Sequence, residues 1–177
     1  TNFDNTLGAI YIVRDPRNIV TSLSKFKSLT LEESADFMIK GTGDGLVWTN
    51  NWAVNYHSWK IFKEYEKYLL IKYEDLIANP DLTFLNVLKF IYRINKSNFE
   101  LDKKKFENVI KTTSFENMQN LEKEKGFSES WVDDKTGKKI PFFYLGPKNN
   151  WKKNLDVKVV KKLEKAFKLE MEELGYL

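Results

Sequence analysis

Arg14 and Ser22, set in Arg14-Asp15-Pro16-Arg17-Asn18-Ile19-Val20-Thr21-Ser22, are the residues best suited to hold an anion. An arginine presents a planar, always-charged fork of donors that matches a phosphate, and a serine hydroxyl adds a neutral donor. The chain carries 29 Lys plus Arg, yet only Arg14, Arg17 and Arg93 are arginine, and two of those fall in this one turn. On spacing alone two readings stay open. In one, Arg14 and Ser22 hold a phosphate; in the other, a surface arginine pairs with Asp15 and the serine is simply solvated.

The elements that must position these residues can be read from the same stretch. Ala9-Ile10-Tyr11-Ile12-Val13 is a short apolar, β-branched run, the pattern of a buried strand. Asp15 suits an N-cap, and Pro16 suits the first helical position, where its missing N–H costs nothing. Ile19, Val20, Leu23 and Phe26 then recur at helical spacing. Arg14 therefore stands at the carboxyl end of a strand, just before a helix N-terminus. Open α/β sheets bind ligands there, and the exposed amides of the helix favour an anion.

Composition narrows the function classes. At 177 residues the chain suits one domain with a sizeable core. Charged residues make up 31%, and no apolar run approaches membrane-spanning length. There is no Cys, which excludes disulfides and thiolate metal sites, and a single histidine, His57, excludes a multi-histidine site. A formal net charge of +4 is compatible with an anionic nucleotide but weak support for nucleic acid, so no nucleic-acid partner is expected. Richness in Lys, Asn, Ile and Phe reads as microbial, and a cytoplasmic location is expected.

Further along, Thr30-Leu31-Glu32-Glu33 reads as a capping box opening a helix to about Lys40. Gly41-Thr42-Gly43-Asp44-Gly45 breaks it and reads as a linker. Trp48, Trp52, Tyr56, Trp59 and Phe62 form an aromatic stripe suited to core packing. Tyr68 to Tyr73 reads as a second strand, then a helix follows Asn79-Pro80. Glu74 and Asp75 are adjacent strand-end carboxylates, which suits structural hydrogen bonding better than an acid/base pair. Leu101 to Lys111 reads as a helix, followed by the hydroxyl cluster Thr112-Thr113-Ser114. Asp133 to Lys138 reads as a hairpin turn. One last helix is expected from about Asp156 to Leu174, with Gly175 at its C′ position.

Three stretches, in order, resemble the sulfotransferase family: Arg14-Asp15-Pro16 with Ser22 eight residues after Arg14, Lys72-Tyr73-Glu74-Asp75-Leu76, and Thr113-Ser114-Phe115 with the later Gly146…Trp151-Lys152. The resemblance implies that Arg14 and Ser22 hold the 3′-phosphate of 3′-phosphoadenosine 5′-phosphosulfate (PAPS), the sulfuryl donor. It places Tyr73 near the adenine, a Thr113 hydroxyl at the nucleotide, and Phe115 beside the adenine. Gly146 matches the late glycine motif, but Tyr144 and Leu145 stand where the family has a basic pair. That leaves phosphate binding at this loop open, with Lys148 as the cation that could supply the charge.

The fold implied is α/β, a three-layer, P-loop-like parallel sheet flanked by helices. The resemblance also calls for an earlier strand, a Lys-bearing phosphosulfate loop and a catalytic His. None of these is found in residues 1–177, which are read as the C-terminal portion of a single sulfotransferase domain. No catalytic residue is expected in this chain, and alone it is expected to be inactive. The family transfers sulfuryl groups to small-molecule or glycan hydroxyls or amines without a metal. A P-loop nucleotide kinase or NTPase relative, and a non-catalytic module for 3′-phosphorylated nucleotides, are the alternatives.

Overall fold

Strand β1 (Ala9–Val13) lies parallel to β2 (Tyr68–Lys72), with Ala9 opposite Tyr68 and Val13 opposite Lys72. This is an α/β fold in which a small parallel sheet accompanies many helices. The computed structural model describes residues 5–41, 51–133 and 136–177. These divide into two compact units, Thr1–Arg14 with Tyr56–Thr112, and Asp15–Asn55 with Thr113–Leu177.

In the first unit the sheet is fixed from its start. The Ala9 amide donates to the Lys67 carbonyl at 2.8 Å. A side chain at Gly8 would stand 3.0 Å from that same carbonyl oxygen and 3.1 Å from the Phe90 ring, so glycine allows the close approach. After β2 the chain turns directly into α4 (Tyr73–Ala78) and then α5 (Pro80–Ile94), whose N-cap Asn79 accepts from the Leu82 amide. Ala9, Val13, Tyr56, Phe62, Ile71 and Phe90 are buried. Tyr11 lies between Tyr56 and Tyr68, at ring distances of 6.0 and 6.5 Å, and burial pushes its hydroxyl up to about 12. Helix α6 spans Lys103–Thr112, slightly later than the pattern suggests.

The second unit opens with α1 (Pro16–Lys27) and α2 (Leu31–Lys40). Asp15 caps α1 by accepting from the Arg17 amide, and Thr30 and Glu33 form the expected capping box. Helix α7 (Phe115–Lys125) follows the hydroxyl cluster Thr112-Thr113-Ser114. A hairpin of β3 (Trp131–Val132) and β4 (Lys139–Ile140) forms where the turn signal stands. Residues 42–50 and 134–135, which include most of the glycine linker, Trp48 and part of that turn, lie outside the described residues.

Two expectations need correction. The aromatic stripe outruns its helix: Trp52, Tyr56 and Trp59 share one face of α3 (Trp52–Lys60), with Trp52 and Tyr56 buried, but Phe62 sits in a 3₁₀ turn, Ile61–Tyr65. His57 is exposed. The last helix is two, α9 (Val157–Ala166) and α10 (Lys168–Glu173), after a short α8 (Trp151–Asn154). The break is at Phe167, whose φ of −119° takes it out of the helix while its fully buried ring packs 5.1 Å from Trp52.

Arg17 organises this second unit. Its Nε and Nη2 donate to both oxygens of Asp15 at 2.7–3.2 Å, its Nη1 to Glu164 at 2.6 Å, and its Nη2 also to the Tyr176 carbonyl at 2.7 Å. Its guanidinium lies 4.1 Å from the Trp151 ring centre. Burial opposes its charge, but the bonds to Asp15 and Glu164 outweigh this and raise its pKa. Removing one member of a buried pair leaves the other charge uncompensated, at a cost of about 3–5 kcal/mol. Arg17→Ala is therefore expected to lose that much stability in a denaturant titration. Arg17→Lys should recover only part of it, because an ammonium cannot span Asp15, Glu164 and the Tyr176 carbonyl together. Full recovery by lysine would contradict the account.

Candidate functional site

Arg14 and Tyr73 each follow the last register pair of the parallel strands, Val13 and Lys72. Neighbouring strands in register bring such residues side by side at the carboxyl end of the sheet. The Arg14 guanidinium accordingly lies 4.1 Å from the Tyr73 ring centre. A cation over a ring face contributes about 0.5–2 kcal/mol and, more usefully, limits where the fork can point. Both residues are half-buried, and burial raises the Tyr73 hydroxyl while nearby Arg14 opposes that rise. Tyr73 is the first residue of α4 rather than the end of a strand, so Glu74 and Asp75 lie in a helical first turn. There they favour the positive end of the helix.

Ser22 lies in the second unit, exposed on α1. Its neighbour is Asn149, a buried residue that sequence reasoning missed. The Asn149 amide donates to the Asn18 carbonyl at 2.7 Å, to the Thr21 hydroxyl at 2.6 Å and, more weakly, to the Ser22 hydroxyl at 3.4 Å. Asn18 reciprocates by accepting from the Trp151 amide at 2.9 Å. Because Ser22 accepts from Asn149, its own hydrogen can be turned outward to donate. The only signal for this clasp in the sequence is that Asn149 precedes Trp151-Lys152.

Gly146, Phe115 and Lys148 come together in the same unit. Gly146 has φ +48°, and a Cβ there would lie 2.2 Å from the Phe115 ring. Phe115 also meets Phe143 edge to face, 6.0 Å between centres. Gly146–Lys148 form a 3₁₀ turn that leaves Lys148 exposed. Thr113 is exposed just before α7, and Ser114, not Thr113, caps that helix by accepting from the Asn117 amide. Tyr144, which stands where a basic residue was looked for, has the Lys25 ammonium 5.6 Å from its ring centre. Arg14 and Tyr73 thus form one cluster in the first unit, and Phe115, Gly146 and Lys148 another in the second, where Asn149 links the same loop to Ser22.

The loop carrying Lys148 is held by two further residues that the sequence does not mark. The buried Glu122 carboxylate accepts from the Ser130 hydroxyl at 2.6 Å and from the Phe142 and Phe143 amides at 2.7 and 2.9 Å. Gln119 donates to the Phe143 and Tyr144 carbonyls at 2.9 and 3.3 Å. Burial alone would raise the Glu122 carboxyl, but these donors, with Lys139 nearby, hold it below its usual range. Residues 115, 118, 119 and 122 share one helical face, and that phase is the signal that could have found Glu122.

Comparison with known proteins bears on what this arrangement is. The sulfotransferase domain family model matches residues 2–175. The chain belongs to that family. It is 24% identical over 173 residues to a guinea pig 3-beta-hydroxysteroid sulfotransferase, covering 96% of this chain and 58% of the relative. It is 27% identical over 178 residues to cytosolic sulfotransferase 16 of Arabidopsis thaliana, covering 95% and 52%. A mouse sulfotransferase solved in complex with PAP has a similar fold, with a TM-score of 0.66 at 18% identity, over 93% of this chain and 58% of that one. The chain thus spans a little over half the length of the relatives it matches.

Two measurements check this geometry. Gly146→Ala should destabilise the loop by about 1–3 kcal/mol, since its methyl overlaps the Phe115 ring and its backbone is left-handed. Phe115→Ala in the same chain should return part of the loss, and strict additivity of the two would contradict the contact. The depressed Glu122 carboxyl gives stability that is present above the unfolded-state pKa, about 4.3. That stability is lost as pH falls through the lower folded value. The difference in melting temperature between wild type and Glu122→Gln should therefore be flat above about pH 5.5 and shrink at lower pH.

Proposed function

We propose that this chain supplies the nucleoside and 3′-phosphate half of a PAPS-dependent sulfotransferase. The observation that carries the reading is Arg14, a forked donor held over Tyr73 at the carboxyl end of parallel strands, in a chain of the sulfotransferase domain family. The residues suit a 3′-phosphorylated nucleotide. Arg14 and Lys148 offer cationic donors and Ser22 a hydroxyl donor, while Phe115 packs into the space that Gly146 leaves open. In this reading Arg14, Ser22 and Lys148 serve the 3′-phosphate, and Tyr73, Thr113, Phe115 and Gly146 form the nucleoside's surroundings. Arg17 takes no part, because its bonds are internal.

When bound, PAPS supplies the sulfuryl group. The acceptor in this reading is a hydroxyl or amine of a small molecule or glycan, and the steroid named for the guinea pig relative supports the small-molecule class. No metal and no nucleic acid take part. The Lys loop and catalytic His that the family resemblance calls for have no counterpart in these 177 residues, so the chain alone binds nucleotide without transferring sulfate. Among the described residues no helix is long and apolar enough to cross a membrane. A cytoplasmic location and a microbial source fit the composition.

Competition binding to the full-length protein tests the assignment. Adenosine 3′,5′-bisphosphate should bind roughly ten- to hundredfold more tightly than adenosine 5′-phosphate, as one charge-assisted bond of about 1.5–3 kcal/mol implies. Arg14→Lys should erode that preference despite keeping the charge, and Ser22→Ala should erode it less. Arg14→Ala should weaken binding more than Lys148→Ala. Equal affinity for the two nucleotides would remove the assignment, and best binding of ATP with Mg²⁺ would point to a kinase-like site instead.

A further inference from the structure

We propose that Glu122 is a positioning residue for nucleotide binding, fixing through its buried carboxylate the strap of chain that presents Lys148. The inference rests on the reading of Lys148 as a ligand of the 3′-phosphate.

The strap runs from Phe142 to Asn149 and is tied at both ends. At its start, Glu122 takes the Phe142 and Phe143 amides, and Gln119 takes the Phe143 and Tyr144 carbonyls. At its end, Asn149 is clasped to Asn18 and Thr21 of α1. Between the anchors the strap closes on itself through the Lys148 amide to the Leu145 carbonyl, 2.9 Å, and the Asn149 amide to the Gly146 carbonyl, 3.2 Å. Gly146 rests on Phe115, which lies on the same helix as Gln119 and Glu122.

The anchors differ in what they can tolerate. Asn149 and Gln119 are neutral, so loosening their bonds strands no charge. Glu122 holds a buried charge on neutral donors, with three bonds of 2.6–2.9 Å converging on one carboxylate. An ionised acceptor makes stronger bonds than a neutral one and has no donor of its own to misdirect. An amide in its place keeps one acceptor and puts an NH₂ against a backbone N–H, so at least one strap amide must move. The groups facing Glu122 are the Ser130 hydroxyl, the two amides, and the lysines Lys123 and Lys139 along the same cleft. None of these is a nucleotide ligand in the proposed site, so the effect of Glu122 on binding would pass through the strap.

The test is a double-mutant cycle on the full-length protein, with adenosine 3′,5′-bisphosphate titrated by calorimetry. Lys148→Ala should weaken binding about tenfold, and Glu122→Gln about fivefold with an unchanged far-ultraviolet spectrum. In the Glu122→Gln background, Lys148→Ala should then cost less than about twofold, because the lysine is already misplaced. Adenosine 5′-phosphate, which lacks the group Lys148 serves, should lose clearly less affinity in Glu122→Gln than adenosine 3′,5′-bisphosphate does. Unchanged affinity in Glu122→Gln, or losses that add in full, would overturn the positioning role and leave Glu122 a structural residue. Should Glu122→Gln fail to fold, Gln119→Ala loosens the same strap without stranding a charge and must show the same coupling; additivity there overturns the proposal. Absence of adenosine 3′,5′-bisphosphate binding by the wild type would instead sink the nucleotide reading itself, and this proposal with it.

Discussion

The buried ion pair between Arg17 and Asp15 is the constraint on which the second unit is built. Asp15 is asked to do two things at once: cap α1 through the Arg17 amide and neutralise the Arg17 side chain. Arg17 in turn reaches Glu164 on α9 and the Tyr176 carbonyl near the C-terminus, and stacks on Trp151 at the start of α8. One side chain therefore ties the start of α1 to α8, to α9 and to the C-terminal residues that follow α10. An arginine can do this because its five donors radiate in a plane while its faces remain free for stacking. The helix start that an anion site would use is thus held by an internal charge network rather than by the ligand.

This explains why two arginines stand three residues apart in a chain that otherwise uses lysine. They have different work. Arg17 is consumed by internal bonds, whereas Arg14, one residue past the end of β1, is held over the Tyr73 ring by the strand register. The sequence marks both as unusual but does not distinguish them. What separates them is their place about Asp15: Arg14 precedes it by one residue, whereas Arg17 follows it by two, at the second helical position, where its side chain can fold back on the cap.

Much of the local structure could be read in advance, because it depends on short-range chemistry. The Asp15-Pro16 helix start, the Thr30–Glu33 capping box, the helix start after Asn79 and the two separate strand runs all arise from residues a few positions apart. The Arg14–Tyr73 pairing follows from the strands once their register is known, and the family resemblance had already singled out both residues. The features that could not be read depend on distant partners. Asn149 is one of several asparagines until it meets Asn18 and Thr21, more than a hundred residues earlier in the chain. Glu122 sits in a polar, Lys- and Glu-rich stretch with no local mark of burial, and only the arrival of Phe142 and Phe143 turns it into a buried acceptor. The break at Phe167 is likewise set by the ring of Trp52, not by any local helix breaker.

The substitution of Tyr144 and Leu145 for a basic pair also has a physical reading. A pair of cationic side chains on a loop can find a phosphate through their own length and flexibility, so the backbone beneath them need not be exact. In the proposed site Lys148, two residues after Gly146, is the one cation that this stretch of loop itself would bring to the phosphate. Its ammonium is a point charge without directional preference, so its position depends on where its backbone is held. In this chain that backbone is held closely. The strap is tied by a carboxylate and an amide at one end and by an asparagine clasp at the other, and its glycine is pressed onto an aromatic ring. The Tyr144 ring, meanwhile, draws in Lys25 from α1, which restores positive charge beside the loop from another element. Under the proposed reading, the anchored loop and the nearby Lys25 would offset the charge that the basic pair supplies in the family, two features that a residue-by-residue reading of the motif would count only as a mismatch.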